Sequence, residues 1–130
     1  MILCIAQYHA MQASGLENWE AQIRKGWLDV AILATLWGGR QYGLEILREL
    51  EARSDLVIAE GTVYPVLTRL RKEGLIEGKW EESDSGHPRR YYKLTAAGRS
   101  RAQALARHSH EFLLKISALI QPLLKEGRDA

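Results

Sequence analysis

The stretch from Gly61 to Gly98 constrains this chain more than any other, because its hydrophobic period changes within a few residues. Before Gly74, Val63, Val66, Leu67 and Leu70 recur at the three-and-four spacing of a helix, starting near Glu60 and stopping at the glycine. After it the period is two. Ile76, Gly78 and Trp80 alternate with Glu77, Lys79 and Glu81, which predicts a strand. The run Ser83-Asp84-Ser85-Gly86-His87-Pro88 is dense in turn formers and predicts a hairpin tip. The return strand, Arg89 to Leu94, sets Arg90, Tyr92 and Leu94 against Arg89, Tyr91 and Lys93. Thr95 then offers a hydroxyl as N-cap for a last helix from about Ala96 to Leu124.

Upstream, Trp19, Ile23, Trp27, Val30, Ala34 and Trp37 mark one face of a helix from about Leu16 to Trp37, ended by Gly38-Gly39. A second helix is expected from about Tyr42 to Arg53, with Leu44, Ile46, Leu47 and Leu50 inward. Ser54-Asp55 closes it, and Leu56-Val57-Ile58 leads into the third. Helices followed by a hairpin and another helix define a winged helix-turn-helix, mainly α with a small β-hairpin. The expected organisation is an N-terminal extension over residues 1–15, a winged-helix domain over 16–95, a C-terminal helix over 96–125 and a tail over 126–130. In the last helix Leu105, Phe112, Ile116, Leu119 and Leu123, with Leu113 and Ile120 beside them, form an apolar stripe longer than a small winged-helix body needs. That surplus predicts N- and C-terminal helices that dimerise.

The 130 residues suffice for one ordinary domain. A single cysteine, Cys4, cannot form an intrachain disulfide, and the short apolar start lacks both a cationic leader and the roughly 20 residues that span a bilayer. The expectation is a cytoplasmic protein without a membrane partner. Net charge is only +2, but residues 60–107 hold ten Lys/Arg against six Asp/Glu, whereas residues 1–59 hold five against seven. Basic surplus therefore falls on the helix-and-hairpin unit, as duplex DNA binding requires.

Burying Val63, Val66, Leu67 and Leu70 turns Pro65, Thr68, Arg69 and Lys72 outward, with Thr62 and Tyr64 at the flanks. A helix in a major groove meets base edges through such N-terminal outward residues. Thr62 and the Tyr64 hydroxyl suit phosphate oxygens, Pro65 and Thr68 suit a thymine methyl, and Arg69 and Lys72 lie where a phosphate is reached. Arg89 and Arg90 flank the turn, placed to grip the minor groove or its phosphates, and strand alternation aims only one of them straight at DNA.

The pieces Tyr42-Gly43-Leu44-Glu45-Ile46, Gly61-Thr62-Val63-Tyr64-Pro65, Arg69-Leu70 with Glu73-Gly74-Leu75-Ile76, and Pro88-Arg89-Arg90-Tyr91-Tyr92 with Leu94-Thr95 and Gly98 stand in one order and spacing. Together they resemble the PadR family of bacterial transcriptional regulators, from about Gly26 to Phe112. The resemblance implies a homodimeric repressor that binds an inverted repeat through two third helices and two wings. It further implies a C-terminal helix forming much of the dimer interface; members of the family often release DNA when a small, frequently aromatic or drug-like molecule binds, or respond to other signals. Two departures stand out: Ala59 lies where members often have Ser, and cannot cap the third helix, and the first 25 residues exceed what short members carry.

Trp19, Trp27, Trp37, Phe112, Ile116 and Leu119 are candidates for an effector pocket or for the dimer interface, and ordinary core packing competes with both. Tyr91, Tyr92 and Trp80 are assigned to holding the wing on the body. His108 and His110, two residues apart on a helix, diverge by roughly 160° and make a poor metal pair. No phosphate loop, nucleophile elbow or clustered His/Asp/Glu set appears, so neither enzyme activity nor a cofactor or metal is expected. The alternative is a winged helix whose third helix docks on a protein rather than on DNA.

Overall fold

The computed structural model describes residues 2–54 and 58–129, with side chains described for 15–53 and 58–125. Its elements are α1 (Ile2–Thr35), β1 (Gln41–Tyr42), α2 (Gly43–Ser54), α3 (Glu60–Lys72), β2 (Ile76–Glu82), β3 (Pro88–Leu94) and α4 (Ala96–Asp129). The strands form one antiparallel sheet in the order β1-β3-β2. This is the expected winged helix, with a third strand added. β1 pairs Gln41 with Tyr92 and Tyr42 with Tyr91, and two residues show no alternation by which to be recognised.

α1 corrects two expectations. It begins at Ile2 rather than near Leu16, and it buries a different stripe. Leu28, Ile32, Leu33 and Leu36 enter the core, while Trp19 is 60% exposed and Ile23 and Trp37 also lie open. The helix carries two apolar stripes, and the tryptophan stripe is the less buried, open at Trp19, Ile23 and Trp37 and half-buried at Trp27 and Val30. In α2, Ile46 and Leu50 are buried, but Leu44, expected inward, is partly exposed at the edge nearest the wing. The Tyr42 amide donates to Glu45 Oε1 (3.2 Å), the half of a capping box in which an N3 glutamate reaches back to the N-cap. Gln41 is tied to α2 by a 2.5 Å hydrogen bond from its Nε2 to Glu49 Oε2. The proposed stop at Asp55 and the link through Leu56 and Val57 lie outside the described residues.

α3 follows its expected bounds. Val63, Leu67 and Leu70 are fully buried, with Val66 packed beside them. Ala59 supplies no side-chain cap, and its carbonyl accepts from the Thr62 and Val63 amides. At the other end Gly74 adopts φ +79°, the left-handed conformation that favours glycine. Its amide donates to the Arg71 carbonyl and the Leu75 amide to the Leu70 carbonyl, the paired bonds of a Schellman motif. Chain direction thus reverses straight into β2.

The β3–α4 joint is equally specific. Thr95 Oγ1 accepts from the Gly98 amide (3.0 Å), as an N-cap should, and donates to the Gly74 carbonyl (2.6 Å). A Cβ at Gly98 would overlap the Leu75 carbonyl, so α4 packs this close to the sheet only through glycine. α4 continues past its expected end at Leu124, and every side chain from Glu111 to Lys125 is exposed. Among the described residues, no helix is long and apolar enough to cross a membrane, and no cluster of His, Cys, Asp or Glu is placed to hold a metal ion.

Candidate nucleic-acid interface

Burial of the α3 core face sends Thr62, Tyr64, Pro65, Thr68, Arg69 and Lys72 to the surface, all exposed. Thr62, Tyr64 and Pro65 stand on the N-terminal half of the helix, and Thr68 lies one turn beyond Tyr64. The Thr68 hydroxyl donates to the Tyr64 carbonyl one turn back (3.1 Å). Tyr64 is held by an absence: a Cβ on Gly43 would lie 2.5 Å from its hydroxyl oxygen, so the ring rests where that glycine leaves room. Partial burial, and then Glu60 and Tyr92, push the phenol pKa up, and Tyr64 therefore presents a neutral O–H at physiological pH.

Arg69 has an engagement that the sequence did not show. Its guanidinium binds Asp29 of α1 (2.5 Å) and Glu73 (3.2 Å), and the Asp29 hydrogen bond is the main reason its pKa is raised. The pair links α3 to α1. Lys72, one turn-face away, is exposed.

In the wing, register decides which way each arginine faces. Trp80 pairs with Arg90 and Glu81 with Arg89. Arg90 thereby shares the face of Tyr92 and Trp80, its guanidinium 5.7 Å from the Trp80 ring centroid and 5.9 Å from that of Tyr92. Glycine at position 78 permits this, since a Cβ there would lie 2.6 Å from Arg90 Nε. Arg89 takes the opposite face, 4.5 Å over Tyr42. Tyr42 meets Tyr91 edge-on (5.6 Å, 77°), and Arg40 lies 4.4 Å over Tyr91 while pairing with Glu81. That ion pair raises the Arg40 pKa and lowers that of Glu81. Arg40, Tyr91, Tyr42 and Arg89 thus form a layer of two cations and two rings across β1 and β3, tied to β2 through Glu81.

Tyr92 is buried and Tyr91 half-buried, so both anchor the wing as expected. Trp80 does not: it is 63% exposed. Two residues beyond Gly78 the hairpin has left the body behind. The indole instead lines a groove of about 500 Å³ between the α2–α3 side and the wing, with Leu44, Tyr64, Thr68, Arg89 and Arg90. Helix patch and wing arginines therefore border one continuous recess. Neither Trp80 nor Leu44 was legible as a groove residue, since alternation and amphipathicity both pointed them inward.

The second candidate set separates. Trp19, Phe112, Ile116 and Leu119 lie exposed on the outer parts of α1 and α4, and Trp27 is half-buried. Only Trp37 lines the pocket between those helices, about 350 Å³ walled by Val30, Ala34, Ala102, Gln103 and Ala106. Arg99 stacks 4.1 Å over Trp37 at this site. Small alanines make the pocket by what they omit, a signal that no motif carries.

Helix, turn, exposed helix and cationic hairpin define the winged-helix class. Residues 32–104 match the model of the transcriptional regulator PadR-like family, more than half of the chain, and the protein belongs to that family. A PadR-like transcriptional regulator from Bacillus cereus is 31% identical and superposes with a TM-score of 0.70, over 77% of this chain and 97% of its own. A PadR-like transcription factor from Bacteroides fragilis is 36% identical with a TM-score of 0.65, over 78% and 98%. Bacillus subtilis PadR, solved in complex with operator DNA, shares the fold at 23% identity and a TM-score of 0.57, over 61% of this chain and 45% of that one. This protein is accordingly a transcriptional regulator and not an enzyme.

Proposed function

We propose that this regulator is a homodimeric repressor that holds an inverted repeat in duplex DNA. One observation carries the reading: Tyr64 and Thr68 of α3 border the same groove as the wing residues Arg89 and Arg90, and Thr62 and Pro65 lie exposed on the same helix. The α3 patch enters the major groove, with Lys72 at a phosphate, while Arg89 and Arg90 engage the adjoining backbone or minor groove. Arg69 contributes less than its charge suggests, because Asp29 and Glu73 already hold it. The DNA-bound form of Bacillus subtilis PadR, which has this fold, supports the reading. A protein acting on a bacterial chromosome in this way works in the cytoplasm.

The bare apolar residues of α1 and α4 supply the dimer, and two-fold symmetry then matches two half-sites about one helical turn apart. The recess at Trp37 and Arg99 is where a small aromatic effector fits, between the two helices whose packing sets the spacing of the recognition helices. The test is duplex binding measured across salt concentrations. Arg89→Ala with Arg90→Ala is expected to weaken binding to all sequences and to reduce the salt slope by about two, one for each lost phosphate contact. An unchanged slope removes the wing from the interface. Wild-type protein that ignores duplex DNA at low salt favours docking of α3 on a protein instead.

A further inference from the structure

Trp80 is the largest residue in the groove that neither folding nor the proposed contacts account for. Its indole is 63% exposed on a strand made rigid by the β2–β3 ladder, and Arg90 lies against it without covering it. A second copy is a poor candidate to cover it. Trp80 pairs with Arg90, four residues and about 13 Å from the Leu94 end where α4 takes its root, whereas the bare apolar helix faces lie on α1 and α4. The groove's lining also carries a chemical signature. Tyr64 and Thr68 line the groove from α3, Arg89 and Arg90 from β3, and Leu44 and Trp80 add apolar surface. A nucleic-acid strand backbone has the complementary pattern, anionic phosphates separated by apolar sugar faces.

We propose that one strand's sugar–phosphate backbone seats in this groove, and that Trp80 is a DNA-contact residue that packs its bare ring on deoxyribose beside a phosphate taken by Arg90. The proposal rests on the DNA-binding reading above and adds an uncharged contact to it. An indole–sugar contact releases no counterions, so it changes affinity without changing its salt dependence. Arg90, by contrast, changes both. The two neighbours in one stack thus have separable signatures.

The experiment uses the full-length protein and a random-sequence duplex of about 20 base pairs, with binding followed by fluorescence anisotropy over a range of salt. Trp80→Ala is expected to bind about tenfold more weakly at every salt concentration with the slope unchanged. That loss corresponds to withdrawing roughly 60 Å² of apolar contact. Trp80→Phe should recover most of the affinity, and Arg90→Ala should lower the slope. In protein labelled with 5-fluorotryptophan, the fluorine resonance missing from Trp80→Phe identifies position 80, and it should shift when duplex is added.

Unchanged affinity of Trp80→Ala overturns the proposal while leaving DNA binding intact. A fall in slope equal to that of Arg90→Ala also overturns it, because Trp80 would then act only by positioning the arginine. Should Trp80→Ala fail to fold, a Trp80 fluorine resonance that stays still in wild-type protein under saturating duplex overturns the proposal alone. Wild-type protein that shows no salt-dependent duplex binding overturns both this proposal and the reading beneath it.

Discussion

α3 and the outer half of α4 carry the same kind of apolar stripe, and the fold treats them in opposite ways. In α3, Val63, Leu67 and Leu70 are sealed against α1, α2 and the sheet. In α4, Phe112 is 56% and Leu119 74% exposed, and Ile116, Ile120 and Leu123 also lie open. Helical spacing states that a face is apolar and says nothing about which chain covers it. A sealed stripe stabilises the monomer, whereas the bare one is what the proposed dimer would cover.

The largest expected effect tests the sealed side. Leu67→Ala leaves a cavity in a site with no exposure, and should cost about 2–5 kcal/mol of unfolding free energy. Measured by urea denaturation at several protein concentrations, that loss should be much the same throughout. Ile116→Glu with Leu119→Glu tests the bare side, with little expected loss of helical circular dichroism. Sedimentation at micromolar concentration should shift from dimer to monomer, and duplex affinity should fall more than tenfold because two half-sites are no longer joined. If wild-type protein already sediments as a monomer, the contrast drawn between the helices is wrong. A smaller effect is expected where the recognition helix meets α1. Asp29→Ala removes a partly exposed partner of Arg69, so stability should change by less than about 1 kcal/mol. The released guanidinium should steepen the salt slope of DNA binding by about one. A slope that stays the same places Arg69 away from DNA altogether.

Glu49 gives a pH signature on the same body. Its pKa lies below the ordinary value, first through the hydrogen bond from Gln41 and then through Arg53. A depressed carboxylate stabilises the fold above its unfolded pKa and loses that stabilisation as pH falls through the folded value. Melting temperature should therefore fall with acidification below about pH 4.5 by more in wild type than in Glu49→Gln.

Much of this architecture was legible because its determinants are local. The stop at Gly74, the change of period at Leu75, the turn residues before Arg89 and the cap at Thr95 each act within a few residues of chain, and each appears where it was expected. The outward set on α3 follows from the same arithmetic. What was missed depends on distant partners. β1 exists only because β3 lies beside it, Arg69 is held by an aspartate 40 residues away, and Leu44 and Trp80 border a groove that appears only once α2, α3 and the wing are assembled.

Sequence alone thus determined the order and type of the central elements and the residues of α3 that must face outward, since hydrogen bonding within a helix or hairpin and side-chain periodicity are properties of neighbouring residues. Tertiary structure decided which of two apolar stripes on α1 is core, that Trp80 stands free, and that helix patch and wing arginines share one recess. Those choices depend on what occupies the space opposite each side chain, and no stretch of chain carries that information about itself.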